Sequence, residues 1–103
     1  MDERLPRLSA TERLILELLE QHGELFGLQL VGESVGRLKR GTVYVTLGRM
    51  QEKGYVESRQ EALPPGAIGL PRRLYHPTGY ARQVLNAWRM AEQIMAGSTT
   101  SEA

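Results

Sequence analysis

Cysteine is absent from the 103 residues, which excludes disulfides, thiolate chemistry and cysteine-held metal. No apolar run approaches the length that a membrane span requires, and the acidic opening Met1-Asp2-Glu3 is unlike a secretion signal. Catalytic signatures are missing as well. Neither a phosphate-cradling Gly-x-x-x-x-Gly-Lys nor a Gly-x-Ser-x-Gly turn occurs. His22 and His76 lie far apart and neither has a nucleophile nearby in sequence, so each reads as a surface or satisfied residue. No residues have metal-ligand spacing. These absences argue against an enzyme, a cofactor and a metal. They leave a soluble, cytoplasmic, single-domain protein with a modest core that a dimer would enlarge.

A strong net charge is also lacking, since the formal total is only +1. The distribution says more. Residues 1–36 carry three basic and seven acidic side chains, whereas residues 37–89 carry ten basic and three acidic. A basic half joined to an acidic half suits a face that meets a polyanion, the plain alternative being a solvated basic surface.

Ser9 and Glu12 have the spacing of a capping box. They open a helix whose stripe is Leu14, Ile15, Leu18 and Leu19, with Gly23 as its stop. A second apolar stretch, Leu25 to Val31, predicts a short helix weakened by glycine and held by packing. Ser34 to Arg37 reads as a turn. The third helix is expected from about Thr42 to Lys53, burying Val43, Leu47 and Met50 and turning Thr42, Val45, Thr46 and Arg49 outward. Gly54 caps it. Tyr55 to Gln60 alternates as a strand, Pro64-Pro65-Gly66 and Gly69-Leu70-Pro71 mark a loop, and Arg72 to His76 is the return strand, stopped by Pro77. Thr78 caps a last helix, from about Gly79 to Met95. Its residues Ala81, Val84, Trp88, Ala91 and Met95 are spaced like a coiled-coil seam, which Leu85 widens. Arg82, Asn86, Arg89 and Gln93 form its wet face.

This order describes a mainly α protein with a small β-wing: a winged helix-turn-helix over residues 1–77, a C-terminal dimerisation helix over 78–96 and a flexible tail over 97–103. Three stretches resemble the PadR family of bacterial transcriptional regulators. Arg40-Gly41-Thr42-Val43-Tyr44 is similar to the start of its recognition helix. Arg49 to Ser58 is similar to the helix end and first wing strand, and Gly69-Leu70-Pro71-Arg72-Arg73-Leu74-Tyr75 to the wing element. Val45 stands where the family usually has proline, and Gly48 where it has a bulkier residue. The single short last helix is similar to the compact branch, in which that helix makes the dimer.

The resemblance implies a regulator of double-stranded DNA, a homodimeric repressor on an inverted-repeat operator. Lys39, Arg40 and Arg49 are the candidate phosphate contacts, with Arg49 able to reach a guanine edge. Thr42, Tyr44 and Thr46 bring hydroxyls, and Val45 suits a thymine methyl. Tyr44 alternatively packs under the wing with its hydroxyl at the rim. Arg72 and Arg73, on opposite faces of the return strand, are the wing candidates. Ala81, Val84, Leu85, Trp88, Ala91 and Met95 are the candidate dimer seam or ligand pocket. Trp88 reads either as a dimer-core anchor or as the wall of a pocket for a planar aromatic molecule. The rival reading is a winged helix that docks a protein through its last helix.

Overall fold

The computed structural model describes residues 4–100, with side chains described through residue 96. Its elements are α1 (Ala10–His22), β1 (Leu25–Phe26), α2 (Gly27–Glu33), α3 (Arg40–Glu52), β2 (Val56–Gln60), β3 (Arg73–Pro77) and α4 (Gly79–Thr100). The expected fold class is borne out: four helices and a small antiparallel sheet, ordered β1-β3-β2.

The capping box at the start of α1 is formed in full. Ser9 Oγ accepts from the Glu12 N–H, and Glu12 Oε1 accepts from the Ser9 N–H. The expected stripe is buried, and so is Leu16. The stripe falls short because α1 is the central helix, touching α2, α3, α4 and β3. Each such aliphatic side chain contributes roughly 1.5–3 kcal/mol by leaving water.

One element was missing from the sequence reading. Leu25 and Phe26 are a short strand, pairing with Tyr75 and Leu74 of β3, and the helix begins only at Gly27. After α2, Ser34 closes the turn by donating to the Val31 carbonyl and accepting from the Leu38 N–H, which seats Leu38 in the core. Val35 takes a positive φ of 53° there and points to solvent.

α3 starts two residues before the expected Thr42 and buries Val43, Leu47 and Met50 completely. Thr46 corrects the outward assignment, for it is only 5 % exposed. At 100° per residue it sits 60° from the Val43 row and directly above Met50, on the flank of the buried stripe. Gly54, at φ 80°, ends the helix. Its N–H donates to the Gln51 carbonyl and the Tyr55 N–H to the Met50 carbonyl, the paired bonds of a left-handed cap.

β2 and β3 pair from Val56–Pro77 to Gln60–Arg73, and residues 61–72 form the wing loop between them. Thr78 then caps α4 by accepting from the Ala81 N–H, while its hydroxyl donates to the Gly54 carbonyl and fastens α4 to the end of α3. α4 runs beyond the expected Met95 to Thr100, so the tail expected from residue 97 is helical as far as it is described. No proline interrupts it, and each further helical residue adds a hydrogen bond. Residues 101–103 of that expected tail lie outside the described residues.

α4 is tied to α1 by charge. Arg13 forks onto Glu92, and Arg89 reaches Glu20 at 3.0 Å, so Arg89 is not simply a solvated residue of the wet face. The segment before α1 is held by two side chains. Tyr55 donates its hydroxyl to the Arg7 carbonyl at 2.8 Å, and the Trp88 indole N–H donates to the Pro6 carbonyl at 2.8 Å.

Candidate nucleic-acid interface

The outer face of α3 and the turn before it gather Arg37, Lys39, Arg40 and Arg49, all exposed. None of the four has an acidic partner among the described residues. Three other cationic side chains near this face are spent. Lys53 holds Glu12 at 2.7 Å, Arg59 holds Glu24 at 2.7 Å and Arg72 holds Glu61 at 3.3 Å. Two of the four are also placed against their own interest. Lys39 is the N-cap of α3, with no side-chain cap bond, and Arg40 is its first residue. Cations there face the positive end of the helix dipole, where carboxylates would stabilise by roughly 0.3–1 kcal/mol. Arg37 was not among the sequence candidates. Its signal was a basic residue following the Val35-Gly36 turn.

Between these cations, Thr42, Tyr44 and Val45 are exposed, the last two by 50 % and 60 %. Neither alternative for Tyr44 anticipated its neighbour. Its ring lies over Gly27 at the start of α2, so close that a Cβ on Gly27 would stand 2.5 Å from it. The glycine is what lets α2 and α3 bring this aromatic between them. A shallow cleft beside the ring is bounded by Phe26, Leu28 and the two wing arginines.

Those arginines do different things. The Arg72 guanidinium stacks over the Phe26 ring at 4.3 Å while pairing with Glu61, a cation–π contact that braces the wing against β1. Arg73 donates to the Ser58 hydroxyl at 3.1 Å and meets no carboxylate among the described residues. The loop tip carries two exposed apolar residues, Ile68 and Leu70, that the sequence reading passed over.

Behind this face Glu12 is almost fully buried. Burial pushes its carboxyl up, but the Lys53 ammonium and the Ser9 backbone and hydroxyl more than offset that, leaving it below the ordinary carboxylate value. The pair locks the first turn of α1 to the last turn of α3, so the helix that presents Arg49 is fixed at its far end.

The proposed seam on α4 requires a correction. Ala81, Val84 and Leu85 are buried in the chain's own core and are not available to a second copy. Thr78 anchors that end of α4 inward, so its first two turns pack on their own domain. Trp88 and Ala91 are partly exposed, and Met90, Ile94 and Met95 are exposed. Trp88 borders a groove with Leu5, Pro6 and Arg7. Among the described residues no group of His, Asp or Glu side chains could hold a metal ion, and no helix is long and apolar enough to cross a membrane.

Comparison with known proteins places these features in a family. The profile of the transcriptional regulator PadR-like family matches residues 15–87. No curated protein sequence matches the chain. A PadR family transcription regulator from Clostridium difficile is similar at 26 % identity and a TM-score of 0.62, over 84 % of this chain and 95 % of that one. Bacillus subtilis PadR in complex with operator DNA is similar at 24 % identity and a TM-score of 0.66, over 78 % of this chain but only 46 % of that one. A PadR-like regulator from Bacillus cereus is similar at 22 % identity and a TM-score of 0.63, over 88 % of each chain. The latter two are distant enough to attest to the fold alone.

Proposed function

The chain belongs to the PadR-like family of transcriptional regulators, and from that premise we propose that it binds double-stranded DNA as a homodimer and represses transcription. α3 enters the major groove, and the wing lies along the backbone or in the minor groove. The observation that carries this reading is the set of four unpartnered cations on and before α3, two of which, Lys39 and Arg40, are kept where the helix dipole disfavours them. A fold that pairs Lys53, Arg59 and Arg72 nearby and leaves these open is suited to a polyanion. Tyr44, Thr42 and Val45 stand among them with faces suited to base edges and thymine methyls. The operator held by the Bacillus subtilis structure belongs to that protein, and the DNA reading here rests on charge and exposure.

The dimer forms through the outer part of α4, where Met90, Ile94 and Met95 are exposed beside Trp88. A two-fold dimer implies an inverted repeat whose half-sites lie about one turn, roughly 34 Å, apart. A planar aromatic effector would meet Trp88 at the groove it forms with the segment before α1.

Fluorescence anisotropy on the upstream DNA of the protein's own gene and on scrambled DNA, across a salt series, tests the proposal. The expected result is preferential binding, with the slope of log K against log salt steepened by about −0.9 for each phosphate neutralised. Arg49→Ala should weaken it by roughly tenfold, the loss of one charged contact. Weak binding, equal on both duplexes and flat with salt, would overturn the DNA reading.

A further inference from the structure

The groove between the start of α1 and the outer flank of α3 holds a set of donors that the sequence reading never joined. Thr42, Thr46 and Arg49 line it from α3, and Ser9 and Thr11 from α1. The capping box engages the N–H groups of Ser9 and Glu12, and the Arg13 N–H closes the first helical bond to the Ser9 carbonyl. The N–H groups of Ala10 and Thr11 remain, without a partner among the described residues. They open at the positive end of a 13-residue helix.

Thr46 supplies the second, independent sign. Its side chain is 5 % exposed, it lines the groove, and its hydroxyl has no hydrogen-bond partner among the described residues. Its oxygen is not fully enclosed, so it opens toward the groove that the residue lines, where it can donate to a ligand. Arg49 stands at the mouth, exposed and without an acidic partner. Glu12, the carboxylate nearest in sequence, is turned back onto Ser9 and Lys53. Helix N–H groups, a hydroxyl and a guanidinium, with that carboxylate engaged elsewhere, match a tetrahedral oxyanion.

We propose that this groove is a phosphate seat, in which one backbone phosphate of the duplex is held by the Ala10 and Thr11 N–H groups, the Thr46 hydroxyl and Arg49. The inference rests on the DNA reading above and deepens it. α1 ceases to be a mere scaffold helix and becomes the clamp that sets the depth of α3 in the groove. It also gives the Glu12–Lys53 pair a purpose, since that pair fixes the two walls of the seat relative to each other.

Two variants test it. Thr46→Val removes the hydroxyl and keeps the shape. Ala10→Pro removes one N–H at the first helical position, which proline suits, and Ser9 already has the extended backbone (φ −72°, ψ 164°) that a following proline requires. Both should keep wild-type circular dichroism and melting. Binding is measured on duplexes carrying a single neutral methylphosphonate at successive backbone positions. Wild type is expected to lose about tenfold at one position per half-site, and each variant to lose about tenfold on the unmodified duplex but little more at that position. The loss should be equal on operator and random DNA, as for any phosphate contact. If Arg49→Ala weakens binding while Thr46→Val and Ala10→Pro retain both the affinity and the methylphosphonate profile of wild type, the seat is refuted and the DNA reading stands. If wild type binds no duplex, the DNA reading itself falls, and the phosphate seat with it.

Discussion

Breaking the ion pair behind the interface should cost more than any surface charge change on this protein, and its size can be worked from the structure. Glu12 is 1 % exposed, and its carboxylate accepts from the Ser9 N–H at 2.9 Å and from Lys53 Nζ at 2.7 Å. Lys53→Met strands the carboxylate with one partner. Removing one member of a fully buried pair costs about 3–5 kcal/mol. The Lys53 side chain is itself 33 % exposed, so water offsets part of the loss and about 2 kcal/mol is expected. That lowers the melting temperature of a domain this size by roughly 10 °C. Glu12→Gln keeps an acceptor for the Ser9 N–H but sets an amide against an ammonium, for about 1–2 kcal/mol. The double variant should cost clearly less than the two singles together, by about 1 kcal/mol or more, in urea unfolding with an unchanged m-value. The sign with pH follows from the lowered carboxyl. Its stabilisation is present above the ordinary value of 4.5 and is lost as pH falls through the lower folded value, so the gap between wild type and Glu12→Gln should close with acid. Additive single variants, or a gap that widens with acid, would refute the reasoning.

Other positions allow shorter tests. Gly48 sits inside α3 with open space around it, so Gly48→Ala should stabilise by about 0.5–1 kcal/mol, read as a rise in melting temperature. Gly27→Ala should displace the half-exposed Tyr44 ring into solvent at little cost in stability, while shifting its aromatic NMR signals and weakening DNA binding. Trp88→Phe removes the bond to the Pro6 carbonyl, so it should cost about 1 kcal/mol and speed trypsin cleavage after Arg4 and Arg7.

What could be read in advance was local. The capping box of Ser9 and Glu12 and the left-handed cap at Gly54 depend on residues a few positions apart, and both are formed as expected. The wing strands alternate, and the alternation survives into the register. What could not be read depends on distance. β1 is too short for any periodicity and exists because Tyr75 and Leu74 pass beside it, some fifty residues later. Lys53 looked like one more basic residue until the fold set it against Glu12. Thr46 was assigned outward because a helical wheel separates core from solvent but not from the flank that another helix covers. In the candidate interface, exposure of Lys39, Arg40, Thr42, Val45 and Arg49 was legible, whereas the lack of acidic partners for the cations among them needed the tertiary arrangement.

α4 shows how a correct pattern can still name the wrong partner. Spacing of 3 and 4 residues describes an apolar face, but it does not say which surface covers each part of that face. Here Ala81, Val84 and Leu85 complete the core of their own domain, and exposed apolar side chains resume only at Met90. The division has a mechanical consequence for the proposed dimer. The outer half of α4 is also pinned to α1, through Glu92 on Arg13 and Arg89 on Glu20. α1 in turn is locked to the end of α3 by Glu12 and Lys53. A shift in how two α4 helices cross would therefore be passed to α1 and α3 through these contacts and would change the separation of the two α3 helices. Trp88 lies where the buried half of α4 gives way to the exposed half, with its indole N–H tied to the segment ahead of α1, so an effector seated there would act on the crossing angle itself.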